Sequence, residues 1–191
     1  MSFAHKSGSG LVDNLRISLA VVALLWIVFV LDLLLPPDWR AWGIRPRHVG
    51  SLWRMAVSPL LHLNLNHIIA NSSALFPLLL VSLSVSRKLT GLAAVMIVLF
   101  SGLGIWAFGK PYTIHIGASG VVFGLIGFLL FAGIFRREIV PLLASLVVLF
   151  FYGGAMWALF RFTPGVSWAG HFWGFGGGIV AAWITRRERR T

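Results

Sequence analysis

Long apolar stretches separated by short polar segments dominate the chain. Each stretch is roughly 18–22 residues long, enough to cross the ~30 Å hydrocarbon core of a bilayer as a helix. Because a backbone inside lipid has to satisfy its own hydrogen bonds, we expect every stretch to be helical. The pattern therefore predicts an all-α, polytopic membrane protein with six transmembrane helices, at about residues 17–35, 65–85, 89–108, 116–135, 139–160 and 168–185.

The composition agrees with this pattern and indicates one membrane domain. The 191 residues are 58% hydrophobic and 11% charged, which is more apolar than a soluble domain of this size needs. The first stretch is too long for a signal peptide and lacks a small-residue cleavage site, so we interpret it as a span. We expect a short cytoplasmic segment at 1–14, a six-helix domain at 15–186 and a basic cytoplasmic tail at 187–191. The chain has no cysteine, so thiol chemistry is excluded.

The positions of the basic residues predict the orientation in the membrane. With six spans both termini lie on one side, and that side receives ten of the 16 lysines and arginines. The positive-inside rule therefore places both termini in the cytoplasm. Membrane topology thus accounts for the net charge of +11, and we expect the lipid bilayer, not a nucleic acid, as the partner of these charges.

Four polar side chains lie inside the second, fourth and sixth apolar stretches, where a polar group is costly and is a candidate for function. They are His67, Asn71, Ser119 and His171. Asn71, Ser119 and His171 precede the basic residue at the inner end of their stretch by 16, 17 and 15 residues. These separations correspond to about 24, 26 and 22 Å of helix, so the three groups are expected at one depth below the outer surface. His67 lies one turn from Asn71 on the same helical face.

Glycines repeat every four residues next to two of these candidates, at 120 and 124 in the fourth stretch and at 170, 174 and 178 in the sixth. Small residues at this spacing let two helices approach closely. If the two glycine faces meet with the helices parallel, Ser119 and His171 point to the same side of the pair. Taken alone, Ser119 is more often a packing residue, and a single intramembrane His or Asn can equally be structural.

A serine hydroxyl next to a neutral imidazole suits acyl transfer, because the imidazole can take the hydroxyl proton. Ser119 is expected in the first turn of its helix, where backbone N–H groups have no intrahelical partner. Together with His67 and the Asn71 amide, these groups could hold a developing oxyanion. None of the five carboxylates lies in the second, fourth or sixth stretch. A hydrolase built on these residues would therefore use a Ser–His dyad without an acid.

Four motifs, in this order, resemble those of the rhomboid intramembrane serine proteases: "WR" at 53–54, "HLNLNHIIAN" at 62–71, "GASG" at 117–120 and "GHFWGFGGG" at 170–178. The resemblance implies a six-helix rhomboid fold in which Ser119 is the nucleophile and His171 the general base. It further implies that His67 and Asn71 stabilise the oxyanion. Substrates would be transmembrane proteins cut near the outer membrane face, with no metal or other cofactor, and the expected location is a prokaryotic cell (inner) membrane. No particular oligomeric state is predicted.

The resemblance also assigns accessory positions, at His62, Phe123 and Gly117, and the sequence departs from the family pattern at two residues. Phe123, one turn after Ser119, stands where many rhomboids carry a tyrosine beside the catalytic histidine, so stacking on His171 is expected without the hydroxyl. Ser51 stands where an acidic residue often precedes the Trp-Arg pair.

Two other classes of function stay open at this point. One is a rhomboid-like protein that binds membrane proteins without cutting them; the intact Ser119 and His171 argue against it, and Phe123 keeps it open. The other is a metal or haem protein that uses His62, His67 and His171. On one continuous helix, residues five apart are separated by ~140°, so His62 and His67 are predicted to face apart. Soft or acidic co-ligands are also missing.

Overall fold

The computed structural model describes residues 5–161 and 165–186, which form helices joined by loops and contain no strand. The predicted basic tail at 187–191 and the first four residues of the predicted N-terminal segment lie outside the described residues. The described ranges contain six α-helices: α1 (His5–Leu34), α2 (Leu65–Val85), α3 (Arg87–Phe108), α4 (Ser119–Arg136), α5 (Ile139–Tyr152) and α6 (Trp168–Ile184). Short 3₁₀ helices lie at Trp39–Trp42, Val49–Met55, Ser58–Leu60 and Gly153–Leu159. The all-α prediction is confirmed.

Within the described ranges, five helical segments are long and apolar enough to cross a membrane. They are Gly10–Leu34, Leu65–Val85, Arg87–Phe108, Ser119–Arg136 and Ile139–Leu159. The sixth predicted stretch also forms a helix, α6, but its 17 residues rise only about 26 Å. The fifth stretch changes from α-helix to 3₁₀ helix at Gly153, where two consecutive glycines give the α-helix little support.

Helix α4 occupies the centre of the bundle and packs against α2, α3, α5 and α6. Its interior is closely filled, because the side chains of Leu125, Ile126, Phe128 and Leu129 are each at most 1% exposed. A helix held on four sides gives its first residue, Ser119, a well-determined position. The predicted site residue at the start of α4 is thus supported by most of the fold.

The backbones of α4 and α6 touch through their glycines. A Cβ atom added at Gly174 would overlap the carbonyl oxygen of Gly120, and one added at Gly178 would overlap that of Gly124. Only a residue without a side chain permits this approach, which is the known use of small residues between membrane helices. The predicted contact between the two glycine faces is therefore present.

The loop between α1 and α2 is anchored by buried polar contacts. Ser51 is fully buried, and its Oγ lies 2.8 Å from the carbonyl oxygens of Arg45 and His48 and accepts the Arg45 N–H at 3.2 Å. Arg54 donates through Nη1 to the Ala41 carbonyl at 2.9 Å. Ser51 thus holds this loop with a neutral hydroxyl, at the position where the resemblance led us to expect an acidic residue.

Two arginines tie helices together at the ends that the charge pattern predicts to be cytoplasmic. Arg87, at the start of α3, donates through Nε to Oδ1 of Asn14 in α1 at 2.6 Å. Arg136, at the end of α4, donates through Nη1 to the Thr185 carbonyl at 3.0 Å. Because a C-terminal carbonyl lacks an intrahelical donor, Arg136 supplies one to the end of α6.

Candidate active site

Ser119 is the first residue of α4 and is half-buried. The preceding residue, Ala118, offers no side-chain cap. Its carbonyl accepts the N–H groups of Val121 and Val122, so Ser119 and Gly120 have the N–H groups without an intrahelical partner. Ser119 also lies in the wall of a small cavity of about 20 Å³, which Ser58, Ser101 and His115 help to line. The hydroxyl is therefore near open space and near the positive end of the helix dipole.

His171 lies in the first turn of α6, is only 6% exposed, and stacks on Phe123 of α4. The two ring centroids are 4.3 Å apart and the ring planes make an angle of 23°. Phe123 is one turn beyond Ser119, so the imidazole packs against the face of α4 that Ser119 begins. The stacking that the resemblance implied is confirmed. The Nδ1 atom of His171 is buried and has no hydrogen-bond partner in the described part of the chain.

His67 and Asn71 on α2 both approach Gly117, two residues before Ser119. A Cβ at Gly117 would lie 2.6 Å from Cε1 and Nε2 of His67 and 3.5 Å from Nδ2 of Asn71. Gly117 has a φ of 112°, a conformation that side chains rarely adopt. The position therefore requires glycine both for its backbone angle and for the space that the two polar side chains occupy.

The proton of neutral His67 can be placed from its hydrogen bonds. The Leu63 backbone N–H donates to Nδ1 at 3.4 Å, so Nδ1 is the acceptor and Nε2 carries the hydrogen. Nε2 is the atom that lies close to Gly117, and Nδ2 of Asn71 is buried without a partner among the residues described. Two N–H donors thus lie next to Gly117.

His62 is not on the helix with His67, which corrects the sequence interpretation. Helix α2 begins at Leu65 and is capped by Asn64, whose Oδ1 accepts the His67 N–H at 2.9 Å. His62 therefore lies in the preceding loop, where the rotation of ~140° does not apply, and its ring meets that of His67 with centroids 5.1 Å apart. The prediction that these two residues face apart is wrong.

Burial, followed by the proximity of His67, lowers the pKa of His62 to about 4. Its Nδ1 lies 3.2 Å from the Leu60 carbonyl, an acceptor, so Nδ1 carries the hydrogen of the neutral ring. His62 is thus a neutral, fully buried support for His67 at pH 7. In residues 5–161 and 165–186, no group of three or more His, Cys, Asp or Glu is arranged to hold a metal ion.

The structure brings the predicted residues together in two sets. Phe123 and His171 form one, and His62, His67, Asn71 and Gly117 form the other. Ser119 lies between them in the sequence, at the start of α4, and no hydrogen bond joins it to His171 in the described residues. A reaction that uses both residues would require them to approach each other when substrate binds, because hydrogen bonds between catalytic groups are often long before that step.

One residue near the site was missed from the sequence. His115 lies in the loop before α4, and its ring contacts Ser167, the N-cap of α6, with Nδ1 and Oγ 2.7 Å apart. Burial lowers the pKa of His115. Its position four residues before Ser119 was the one feature of the sequence that indicated a role for His115. No sequence pattern identified its partner, which lies 52 residues away.

A family model named Rhomboid domain matches residues 49–188. The chain belongs to the rhomboid family. Membership in this family, together with the long apolar helices, identifies an integral membrane protein and supports a protease-like function in the membrane. The match begins within the loop that follows α1 and includes all the predicted site residues of this rhomboid.

Three bacterial relatives match about nine-tenths of this rhomboid. An uncharacterized protein of Mycobacterium tuberculosis is 38% identical over 182 residues, which cover 90% of this chain and 75% of the relative. An uncharacterized protein of Mycobacterium leprae is 34% identical over 183 residues, covering 91% and 72%. A Bacillus subtilis protein named "Putative rhomboid protease YdcA" is 29% identical over 184 residues, covering 90% and 89%. These relatives indicate a prokaryotic membrane.

Proposed function

We propose that this rhomboid is an intramembrane serine endopeptidase that cuts transmembrane proteins near the outer membrane face with a dyad of Ser119 and His171. The observation that carries the proposal is the stacking of His171 on Phe123, one turn from Ser119 on the same helix. The proposal is also supported by two N–H donors, from His67 and Asn71, which lie next to Gly117 in the segment that leads into α4.

In the proposed reaction, Oγ of Ser119 attacks the carbonyl carbon of the scissile bond while His171 takes the hydroxyl proton. The carbonyl oxygen becomes an oxyanion, which is held by the N–H groups of Ser119 and Gly120 at the start of α4, by Nε2–H of His67 and by the Asn71 amide. His171 then gives its proton to the leaving amine, and an acyl-enzyme forms on Ser119. A water molecule, deprotonated by His171, hydrolyses that ester and restores the hydroxyl.

No acid is required in this scheme. Nδ1 of His171 is buried and unpartnered among the described residues, and stacking on Phe123 holds the ring without a hydrogen bond to a carboxylate. A flat contact of this kind restricts the orientation of the imidazole, which is the task that an aspartate performs in a triad.

We further propose that α6 completes a set of six spans with both termini in the cytoplasm. The first turn of α6 lies beside Gly120 at the start of α4. The two helices therefore begin at the same end of the bundle, and α6 runs in the same direction as α4. Cysteine-accessibility labelling tests the topology: single cysteines placed in the α2–α3 and α4–α5 links should react only from the cytoplasmic side. Reaction from the outside would contradict it.

The experiment that tests the enzymatic proposal is labelling by a serine-directed fluorophosphonate, paired with cleavage of a single-span substrate. Wild type should be labelled and should cleave, and Ser119→Ala should do neither. Ser73→Ala is the matched control, because Ser73 is an exposed serine on α2. His171→Ala should also abolish cleavage, since nucleophile and base act as a unit. Cleavage by Ser119→Ala would refute the proposal, and a wild type without labelling or cleavage would favour a binding protein.

A further inference from the structure

His115 connects three separate parts of the molecule at the entrance to α4. Its backbone pairs with Ile44 of the first loop, with N–H···O distances of 2.9 Å in both directions. Both ring nitrogens are also occupied, Nε2 lying 2.8 Å from Oγ1 of Thr113 and Nδ1 lying 2.7 Å from Oγ of Ser167. The ring therefore links the loop before α4 to Ser167, the N-cap of α6.

Thr113, His115 and Ser167 form a series of hydrogen bonds, and the direction of each bond can be worked out from the bonds at the two ends of the series. The Thr113 hydroxyl donates to the Lys110 carbonyl at 2.6 Å, so toward His115 it can only accept, and Nε2 of His115 carries the hydrogen. In the neutral ring Nδ1 is then an acceptor, and it receives the Ser167 hydroxyl. Ser167 in turn accepts the Gly170 N–H at 3.3 Å. Each donor in this series of hydrogen bonds meets one acceptor, so the assigned directions agree with one another.

This series of hydrogen bonds ends at the backbone of α6 next to His171, the proposed base. The His171 N–H donates to the Ser167 carbonyl at 3.1 Å, and the Gly170 carbonyl accepts the Ser101 hydroxyl at 3.1 Å. The first turn of α6 is thus held by α3 on one side and by His115 on the other. A shift of Ser167 would move His171 directly, because the two residues share a helical hydrogen bond.

We propose that His115 is a positioning residue, which holds Ser167 so that the first turn of α6 aims His171 at Ser119. The proposal rests on the proposed function above. His115 contacts neither the reacting atoms nor the substrate carbonyl in this role. It acts through one bond, between Nδ1 and the Ser167 hydroxyl, whereas the bond to Thr113 serves to orient the ring.

The two halves of the ring can be tested separately. In His115→Asn the side-chain amide lies near the former Nδ1 and keeps an acceptor for Ser167. In His115→Gln the amide reaches toward Thr113, and the Ser167 bond is lost. His115→Ala loses both bonds. His48→Ala is the matched control, because His48 is an exposed histidine in the first loop. For each variant we would measure the fluorophosphonate labelling rate of Ser119, kcat and KM for one transmembrane substrate, and the thermal midpoint.

A misplaced base lowers the rate of the chemical step, and a displacement of about 1 Å can cost on the order of 100-fold. We therefore expect His115→Ala and His115→Gln to lower the labelling rate and kcat about ten-fold or more, with KM little changed. His115→Asn and His48→Ala should stay near wild type. Restoration by Asn and not by Gln identifies the bond to Ser167 as the one that matters.

Two results would overturn the proposal. One is a His115→Ala labelling rate equal to that of His48→Ala. The other is an equal loss of rate in the Asn and Gln variants that follows their thermal midpoints, because this would show a role in stability alone. Neither result bears on the nucleophile, since labelling that disappears in Ser119→Ala tests the proposed function independently.

Discussion

The ring of Phe123 stacks on the ring of His171 with 4.3 Å between centroids. Both side chains are only 6% exposed, so the pair is enclosed by the bundle. Phe123 lies on the most buried helix, α4, and His171 lies in the first turn of α6, which means that the imidazole rests on the part of the fold that is best supported. The orientation of the proposed base is thus determined by an apolar surface.

Phe123→Ala should reduce cleavage strongly, and Phe123→Tyr should leave it within a few-fold of wild type. Alanine removes the surface that holds the imidazole and opens a void next to it, whereas tyrosine keeps the ring. Both variants should be measured on one transmembrane substrate, alongside fluorophosphonate labelling.

Full activity in Phe123→Ala would show that the ring does not hold the base. A large gain in Phe123→Tyr would indicate that the wild type is held at low activity by the missing hydroxyl, and would favour the protein-binding function over the protease.

His67→Ala and Asn71→Ala should lower kcat more than they raise KM. A donor to an oxyanion acts mainly in the transition state, and loss of a dominant donor costs on the order of 10²–10³ in rate. Because the N–H groups at the start of α4 share the task, each loss should fall at or below the lower end of this range. Asn66→Ala, at an exposed position on α2, is the control for Asn71→Ala. An effect on KM alone in both variants would remove these residues from the oxyanion role.

Gly178→Ala should destabilise the protein by about 1–3 kcal/mol, the usual cost of overpacking a filled interior. The added Cβ would overlap the carbonyl oxygen of Gly124. Gly176→Ala is a matched control on the same helix, because a Cβ at Gly176 meets no atom within 4 Å. Reversible denaturation in detergent would compare the two variants, and equal midpoints would contradict the close contact between α4 and α6.

Cleavage should fall as the pH is lowered. A protonated His171 cannot accept the hydroxyl proton of Ser119, so the active fraction decreases as acid is added. The profile should be recorded for kcat/KM, which reports the free enzyme, with circular dichroism at each pH to confirm that the fold is intact. An unchanged rate across the acid range would argue against His171 as the base.

The features that were predicted correctly from the sequence are the helix contacts that depend on helical periodicity. The glycines of α4 and α6 recur every four residues, and the structure places Gly174 against Gly120 as this spacing required. Phe123 was placed correctly against His171 from family resemblance, and the position of Phe123 one turn from Ser119 follows from the same periodicity. Wherever a residue lay well inside a regular helix, its face could be worked out by counting.

The prediction that did not hold depended on the position of a helix end, and the contact that was not predicted depends on distant pairing. His62 and His67 were expected to face apart because the rotation was counted along one continuous helix, but α2 begins only at Leu65, with Asn64 as its N-cap. The contact of His115 with Ser167 joins residues 52 positions apart, and no local pattern specifies such a pair. The bond forms only because the loop before α4 and the cap of α6 are brought together by the packing of the helices.

The direct contact between the α4 and α6 backbones has a consequence for the choice of medium in which this protein is studied. Lipid tails are as apolar as the side chains of a membrane helix, so exclusion of solvent contributes little to holding the two helices together. Their cohesion comes from dispersion between closely fitted atoms, which depends on shape. The relative placement of Ser119 and His171 is then expected to survive transfer from bilayer to detergent, and between lipids of different chain length. A change of medium should alter how often substrate is encountered, and therefore KM, while the labelling rate of Ser119 stays the same.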